Sequence, residues 1–255
     1  MTMSPMALTL LAPGSPDPRH ARDVSALAGR LKVSGTAAQV AHLDRQDPSP
    51  AEAARTLHRA GAGWTTVVPL AVSPTHQQRV ALPAAIRAMR EAVPSLDISV
   101  ADPIGCHPLL LDSVAELLSN AQLPLDDRTG IILAAGGSRD PRSMSALESL
   151  FGGQGSALAQ ALGVRAARTA YLDGGRPIGR IRALMRCVDG CRTFVVVPLV
   201  LTDGIQRDRI VTAARRYDAP IAPGALADTR ALAQLVVLRA EQAHRAPLTA
   251  AAVRR

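Results

Sequence analysis

Leu8-Thr9-Leu10-Leu11-Ala12-Pro13-Gly14-Ser15-Pro16-Asp17-Pro18-Arg19 aligns without gaps to Ile131-Ile132-Leu133-Ala134-Ala135-Gly136-Gly137-Ser138-Arg139-Asp140-Pro141-Arg142, and Gly-Ser and Asp-Pro-Arg recur in both. Further along, Val67-Val68-Pro69-Leu70 matches Val196-Val197-Pro198-Leu199. The offset grows from 123 to 129 residues, so the second copy keeps the order of elements with a small insertion. Between these anchors Pro50 and Pro177 each precede a helical stretch that leads into the Val-Pro-Leu strand. The chain reads as an internal duplication. The join falls near 119–130, where Asn120, Pro124, Asp126, Asp127 and Gly130 are turn formers.

Within each copy, short β-branched runs alternate with longer helical patterns, the signature of βα units and of a parallel sheet covered by helices on both faces. Strands are expected near 7–12, 36–42, 64–70 and 97–101, and again near 130–135, 166–172, 193–199 and 219–222. Asp17-Pro18 and Asp140-Pro141 offer a capping carboxylate followed by proline at the first helical position, where its missing N–H costs nothing. Ser49-Pro50-Ala51-Glu52 has the capping-box pattern. The expected architecture is α/β, two similar doubly wound βα domains with parallel sheets. The expected boundaries are 1–120 and 130–243, followed by a basic tail at 244–255.

The 255 residues suffice for two such domains, and a 47% hydrophobic, 20% charged composition excludes a disordered chain. No apolar run reaches the roughly 20 residues that cross a bilayer, and the first residues lack the basic start of a signal peptide. A cytoplasmic protein with no membrane partner is expected. Lys32 is the only lysine, so 28 of the 29 basic residues are arginine, and the net charge is +8. That charge attracts anions, but the arginines are dispersed and no aromatic platform or nucleic-acid module accompanies them. Nucleic acid is therefore not an expected partner. Cys106, Cys187 and Cys191 are an odd count without a zinc-type spacing, and they read as structural.

In doubly wound sheets ligands bind beyond the carboxyl ends of the strands. The loops that matter are 13–17, 73–79 and 102–108, with counterparts at 136–140, 202–209 and 223–228. Gly14-Ser15 and Gly137-Ser138 sit between strand and helix, where backbone N–H groups and a hydroxyl hold a phosphate or carboxylate, or where glycine simply makes a tight turn. They leave a nucleotide- or phosphate-binding module as one reading. His76 and His107 lie in strand-end loops of the first copy, placed for metal ligation or proton transfer, although Cys106-His107 can equally begin a helix. Arg79, Arg139 and Arg209 stand beside the same loops, as carboxylate partners or as solvated surface. His20, His42, His58 and His244 fall in helices or a strand and read as surface or packed residues.

These loops resemble those of the class II tetrapyrrole chelatases, the sirohydrochlorin chelatases of the CbiX type. The family's His-Gly-Ser-Arg-Asp-Pro motif corresponds to Pro13-Gly14-Ser15-Pro16-Asp17-Pro18 and, in the second copy, to Gly137-Ser138-Arg139-Asp140-Pro141. Its His-Val-Arg-Val-Asp-Ile-Pro loop corresponds to Gln77-Gln78-Arg79-Val80-Ala81-Leu82-Pro83, and its Leu-Gly-x-His-Pro motif to Ile104-Gly105-Cys106-His107-Pro108. The resemblance implies insertion of Co²⁺, Fe²⁺ or Ni²⁺, a substrate of the reaction, into a carboxylate-rich tetrapyrrole for cobalamin or siroheme, with no organic cofactor. It also implies a monomer whose two copies form an internal pseudo-dimer. The family's two metal-binding histidines fall on Pro13 and Gln77, and on Gly136 and Gln206 in the second copy. His76 is then the expected ligand and base, His107 the second ligand, and Ser15, Arg79, Ser138 and Arg139 the substrate-binding residues. The alternative is a catalytically degenerate relative that binds a tetrapyrrole, a metal or a partner protein without inserting the metal.

Overall fold

The computed structural model describes residues 7–33, 36–72, 76–137, 141–154, 156–173 and 175–245. The chain divides into two compact units. One comprises residues 1–105 with 233–255, the other 106–232.

The first unit is built on β1 (Ala7–Ala12), β2 (Ala37–His42), β3 (Trp64–Pro69) and β4 (Asp97–Val100), all parallel, in the order β2-β1-β3-β4. β1 is buried at every position, which is why Leu8 to Leu11 carries no polar alternation. The helices between these strands are α1 (Pro18–Val33), α2 (Pro50–Arg59) and α3 (His76–Ala92). Asp17 caps α1 as its sequence suggests, its Oδ1 accepting from the Arg19 amide at 3.0 Å. α2 begins with the expected capping box: the Ser49 hydroxyl accepts from the Glu52 amide while the Glu52 carboxylate accepts from the Ser49 amide. Leu11, Val67, Ile86, Met89, Leu96 and Ile98 pack together in one core cluster. Each such side chain contributes about 1.5–3 kcal/mol by leaving water.

The second unit contains α4 (Leu109–Ala121), β5 (Thr129–Ala135), α5 (Pro141–Phe151), β6 (Gly153–Gln154), α6 (Ala157–Leu162), β7 (Ala166–Tyr171), α7 (Ile178–Leu184), β8 (Thr193–Pro198) and α8 (Ile205–Arg215). Its sheet runs β6-β7-β5-β8, so β7-β5-β8 repeats the order of β2-β1-β3. Two details depart from the expected plan. The fourth strand, expected at 219–222, is reduced to a single parallel bridge, Val196 to Ile221. The opposite edge carries the short antiparallel β6, which the sequence did not announce. α7 passes directly into a π-helical turn, Met185–Asp189, that ends at Gly190 with φ of 73°.

The last helix, α9 (Arg230–Arg245), falls almost wholly in the first unit. There the His244 ring stacks on Trp64 at 4.9 Å, and Arg239 donates to the Ile104 carbonyl at 3.1 Å. α4 belongs instead to the second unit, where Glu116 accepts from the Arg230 amide and Ser113 from the Thr229 hydroxyl. A division by chain order at 120/130 and a division by contacts therefore exchange these two helices. His244 and Arg245 end α9, while 246–255, the rest of the expected tail, lie outside the described residues. Among the described residues, no helix is long and apolar enough to cross a membrane.

Candidate functional site

In the first unit the turn after β1 is fastened to the turn after β2. Gly14 N–H donates to Asp44 Oδ1 at 3.0 Å, Ser15 N–H to Gln46 Oε1 at 3.2 Å, and the Ser15 hydroxyl accepts from Asp17 N–H at 3.2 Å. Only glycine fits at position 14, because a Cβ there would lie 1.5 Å from the Asp44 carbonyl oxygen. The amides that a bound phosphate would need are thus already given to protein oxygens. This overturns the reading of Gly14-Ser15 as an open phosphate cradle.

The second unit repeats the arrangement. Gly137 has φ of 108°, and its Cβ would lie 2.4 Å from the Asp173 carbonyl oxygen. Asp44 and Asp173 escaped the sequence reading, although Ala41-His42-Leu43-Asp44 and Ala170-Tyr171-Leu172-Asp173 are a further copy of the repeat at the same offset of 129.

The positions that the family resemblance assigns to the two histidines are neighbours in the second unit. A Cβ on Gly136 would sit 3.2 Å from Gln206 Oε1. Arg209, expected to pair with substrate carboxylates or to be solvated, holds Asp173 at 2.9 Å and also donates to Gln206 Oε1 at 3.2 Å. Nearby, Arg207 donates to the Gly224 and Ala222 carbonyls, stitching the last strand-end loop in place. In the first unit the corresponding loop is tied to the end of β3 by the Gly105 amide, which donates to the Ala71 carbonyl at 2.9 Å.

Of the expected site residues, Ser15 is committed to its own turn as described. His107 is half-buried, and its Nδ1 accepts from the Leu109 amide at 3.2 Å, so it does begin α4. With Nδ1 accepting, the neutral ring carries its proton on Nε2, so in this tautomer Nε2 is a hydrogen-bond donor and not a metal ligand. His76 opens α3, one residue before Gln77, but the side chains of 76–79, Arg79 included, lie outside the described residues. Ser138 and Arg139 lie outside them too. His76 and His107 belong to different units. Among the described residues no group of three or more His, Cys, Asp or Glu side chains is placed to hold a metal. Cys106 is half-buried and its thiol is pushed up by desolvation; Cys187 is exposed and Cys191 buried, and all three are free.

Two histidines set aside as packed residues lie behind the first loop. His20 and His42 are 7% and 2% exposed, with ring centres 6.0 Å apart. His20 Nε2 donates to the Pro13 carbonyl at 2.7 Å and so holds the residue that occupies the family's first histidine position. His42 Nδ1 donates to the Asp47 carbonyl at 3.1 Å, which leaves its buried Nε2 without a hydrogen-bond partner among the described residues. Desolvation lowers both pKa values, so both rings are held neutral.

The model of the CbiX family matches residues 7–121. A sirohydrochlorin cobaltochelatase of Priestia megaterium is 24% identical over 180 residues, 69% of this chain. The chain spans only 57% of that relative's length. Among solved structures, SirB from Bacillus subtilis with Fe³⁺ superposes with a TM-score of 0.76 at 18% identity, over 97% of this chain and 98% of that one. The cobalt complex of sirohydrochlorin chelatase SirB from Bacillus subtilis subspecies spizizenii gives 0.69 at 16% identity, over 96% and 98%. The match of residues 7–121 makes the first copy of the repeat similar to the CbiX family, and along its whole length the chain has the fold of the solved SirB sirohydrochlorin chelatase structures.

Proposed function

We propose that the protein is a cytoplasmic, monomeric metal chelatase that inserts Co²⁺, Fe²⁺ or Ni²⁺ into a carboxylate-rich tetrapyrrole of the sirohydrochlorin type. The observation that carries this reading is the scaffold kept in both units: each holds its first strand-end loop by a glycine that touches the aspartate after the neighbouring strand. Metal insertion requires a divalent ion held by few ligands, so that it can leave, and a base that takes the two pyrrole N–H protons displaced as the ion enters. His76 supplies a ligand and the base from the start of α3, and His107 supplies a second ligand through its unprotonated nitrogen once Nδ1 releases the Leu109 amide. Ser15, through its hydroxyl proton alone, and Arg79, Ser138 and Arg139 receive the macrocycle's carboxylates, for which arginine's paired N–H groups are suited.

A second reading, binding of the tetrapyrrole without insertion, is favoured by one observation. Pro13, Gly136 and Gln206 stand where the family has histidines, and neither proline nor glycine offers a side-chain ligand. Absorbance-monitored metal insertion into sirohydrochlorin, with each metal against a protein-free control, separates the two. The first reading expects a rate well above the control that falls in His76→Ala and His107→Ala. A rate equal to the control with the macrocycle bound establishes the second, and absence of binding overturns both.

A further inference from the structure

At the opposite end of the second unit's sheet, where β5 and β8 begin, lies a cavity of about 400 Å³. That size is typical of small-molecule sites. Its lining includes Phe194 at the foot of β8, Tyr217 and Pro220 after α8, Asp126 before β5, and Arg182 and Arg192. The chain directs Arg182 here because α7 runs back against the strands and ends beside their starts. The Arg182 guanidinium carbon lies 5.3 Å from the centre of the Phe194 ring and 5.8 Å from that of Tyr217. Arg186 approaches Phe194 as well, at 5.8 Å.

The two lining arginines lack acceptors among the described residues. Arg182 Nε is buried with no hydrogen-bond partner there, and no described carboxylate forms an ion pair with Arg182 or Arg192. Asp126 is already engaged. Its Oδ1 accepts from the Thr129 hydroxyl at 2.6 Å and from the Arg128 amide at 3.1 Å. The remaining acid of the lining, Asp218, carries left-handed backbone with φ of 50° at the turn after α8. A cavity with an aromatic wall and unfilled guanidinium donors is complementary to a negative group on an apolar body.

We propose that this cavity binds a small organic carboxylate with a flat apolar body, its carboxylate on Arg182 and Arg192 and its body against Phe194 and Pro220. The site is separate from the strand carboxyl ends on which the chelatase reading rests, and it does not depend on that reading. Benzoate is a suitable probe, followed on the full chain by amide NMR shifts, with benzylammonium as the probe of opposite charge.

Saturable benzoate shifts at Thr193, Phe194 and Tyr217 are expected, with a dissociation constant of about a millimolar or tighter for a ligand of so few atoms. Arg182→Met and Arg192→Met should each weaken binding at least about tenfold, the loss of a charge-assisted hydrogen bond. Because Arg182 also packs on two rings, the exposed Arg192 decides the matter if Arg182→Met does not fold. Shifts that do not saturate, variants that bind benzoate as tightly as the parent, or benzylammonium binding as tightly as benzoate would each overturn the proposal.

Discussion

Replacing Gly14 by alanine places a methyl carbon 1.5 Å from the Asp44 carbonyl oxygen and 2.8 Å from its Oδ1, where real Cβ atoms do not come nearer than about 3.0 Å. The two turns must separate by about 1.5 Å. Such a shift stretches the Gly14 to Asp44 hydrogen bond, now 3.0 Å, beyond bonding range and carries the Ser15 to Gln46 bond with it. The first has a charged acceptor that is 34% exposed, which reduces its worth to about 1–2 kcal/mol; the second adds about 0.5–1 kcal/mol. The expected loss is about 1.5–3 kcal/mol, or roughly 3–12 °C in melting temperature for a chain of this length. Because a displacement of about 1 Å at a reacting site costs on the order of 100-fold in rate, metal insertion should fall by at least that factor. Gly29, an exposed helical position where an added Cβ would meet nothing within 4 Å, is the control. Gly29→Ala should instead stabilise by about 0.5–1 kcal/mol. Thermal melts and initial insertion rates measure both. A Gly14→Ala protein that melts within about 1 °C of the parent and inserts metal at the parental rate would refute the clamp as the organiser of the site.

Two further predictions concern buried charge. Asp189, whose side chain is 1% exposed, binds Arg168 through two contacts at 2.6 and 2.8 Å. Asp189→Ala strands the guanidinium and should cost about 3–4 kcal/mol by denaturant titration, while Asp189→Ala with Arg168→Met should recover at least half; an additive double variant would contradict this account. The His20 and His42 pair gives a pH dependence. Their folded pKa values lie below the ordinary 6.5, so below that pH the unfolded chain binds more protons than the fold does, and stability falls as pH drops from about 6.5 toward the depressed folded values. His42→Phe should flatten that acid limb in melts between about pH 7 and 5, and an unchanged slope would assign the loss to other groups.

Seven strands were legible almost to the residue, because buried parallel strands read as unbroken apolar runs such as Ile131-Ile132-Leu133, closed by glycine or proline. The two-residue β6 carries too little sequence to signal itself, and the expected fourth strand of the second copy pairs only at Ile221. The π-helical turn at Met185–Asp189 has no composition of its own; it ends at the left-handed Gly190. At the site, Gly14 and Gly137 were visible as the repeat's fixed points, but their partners were not. A lone aspartate after a strand is indistinguishable from surface unless it is matched to its copy, as Asp44 is to Asp173. His20 and His42 were unremarkable for the same reason, since the carbonyls that orient them, of Pro13 and Asp47, offer no side-chain signal.

The exchange of α4 and α9 bears on how such a protein is made. A ribosome has emitted every strand of the first sheet long before residues 233–245 exist, so that sheet waits, without Arg239 beneath Ile104 or His244 on Trp64, until synthesis is almost finished. Meanwhile Leu110, Val114, Leu117 and Leu118 of α4 are translated ahead of the unit that will bury them. A gene cut at the midpoint of the duplication would yield two products, neither carrying a whole folding unit. Expressed one at a time, the two copies of the repeat would each lack a helix of their own compact unit.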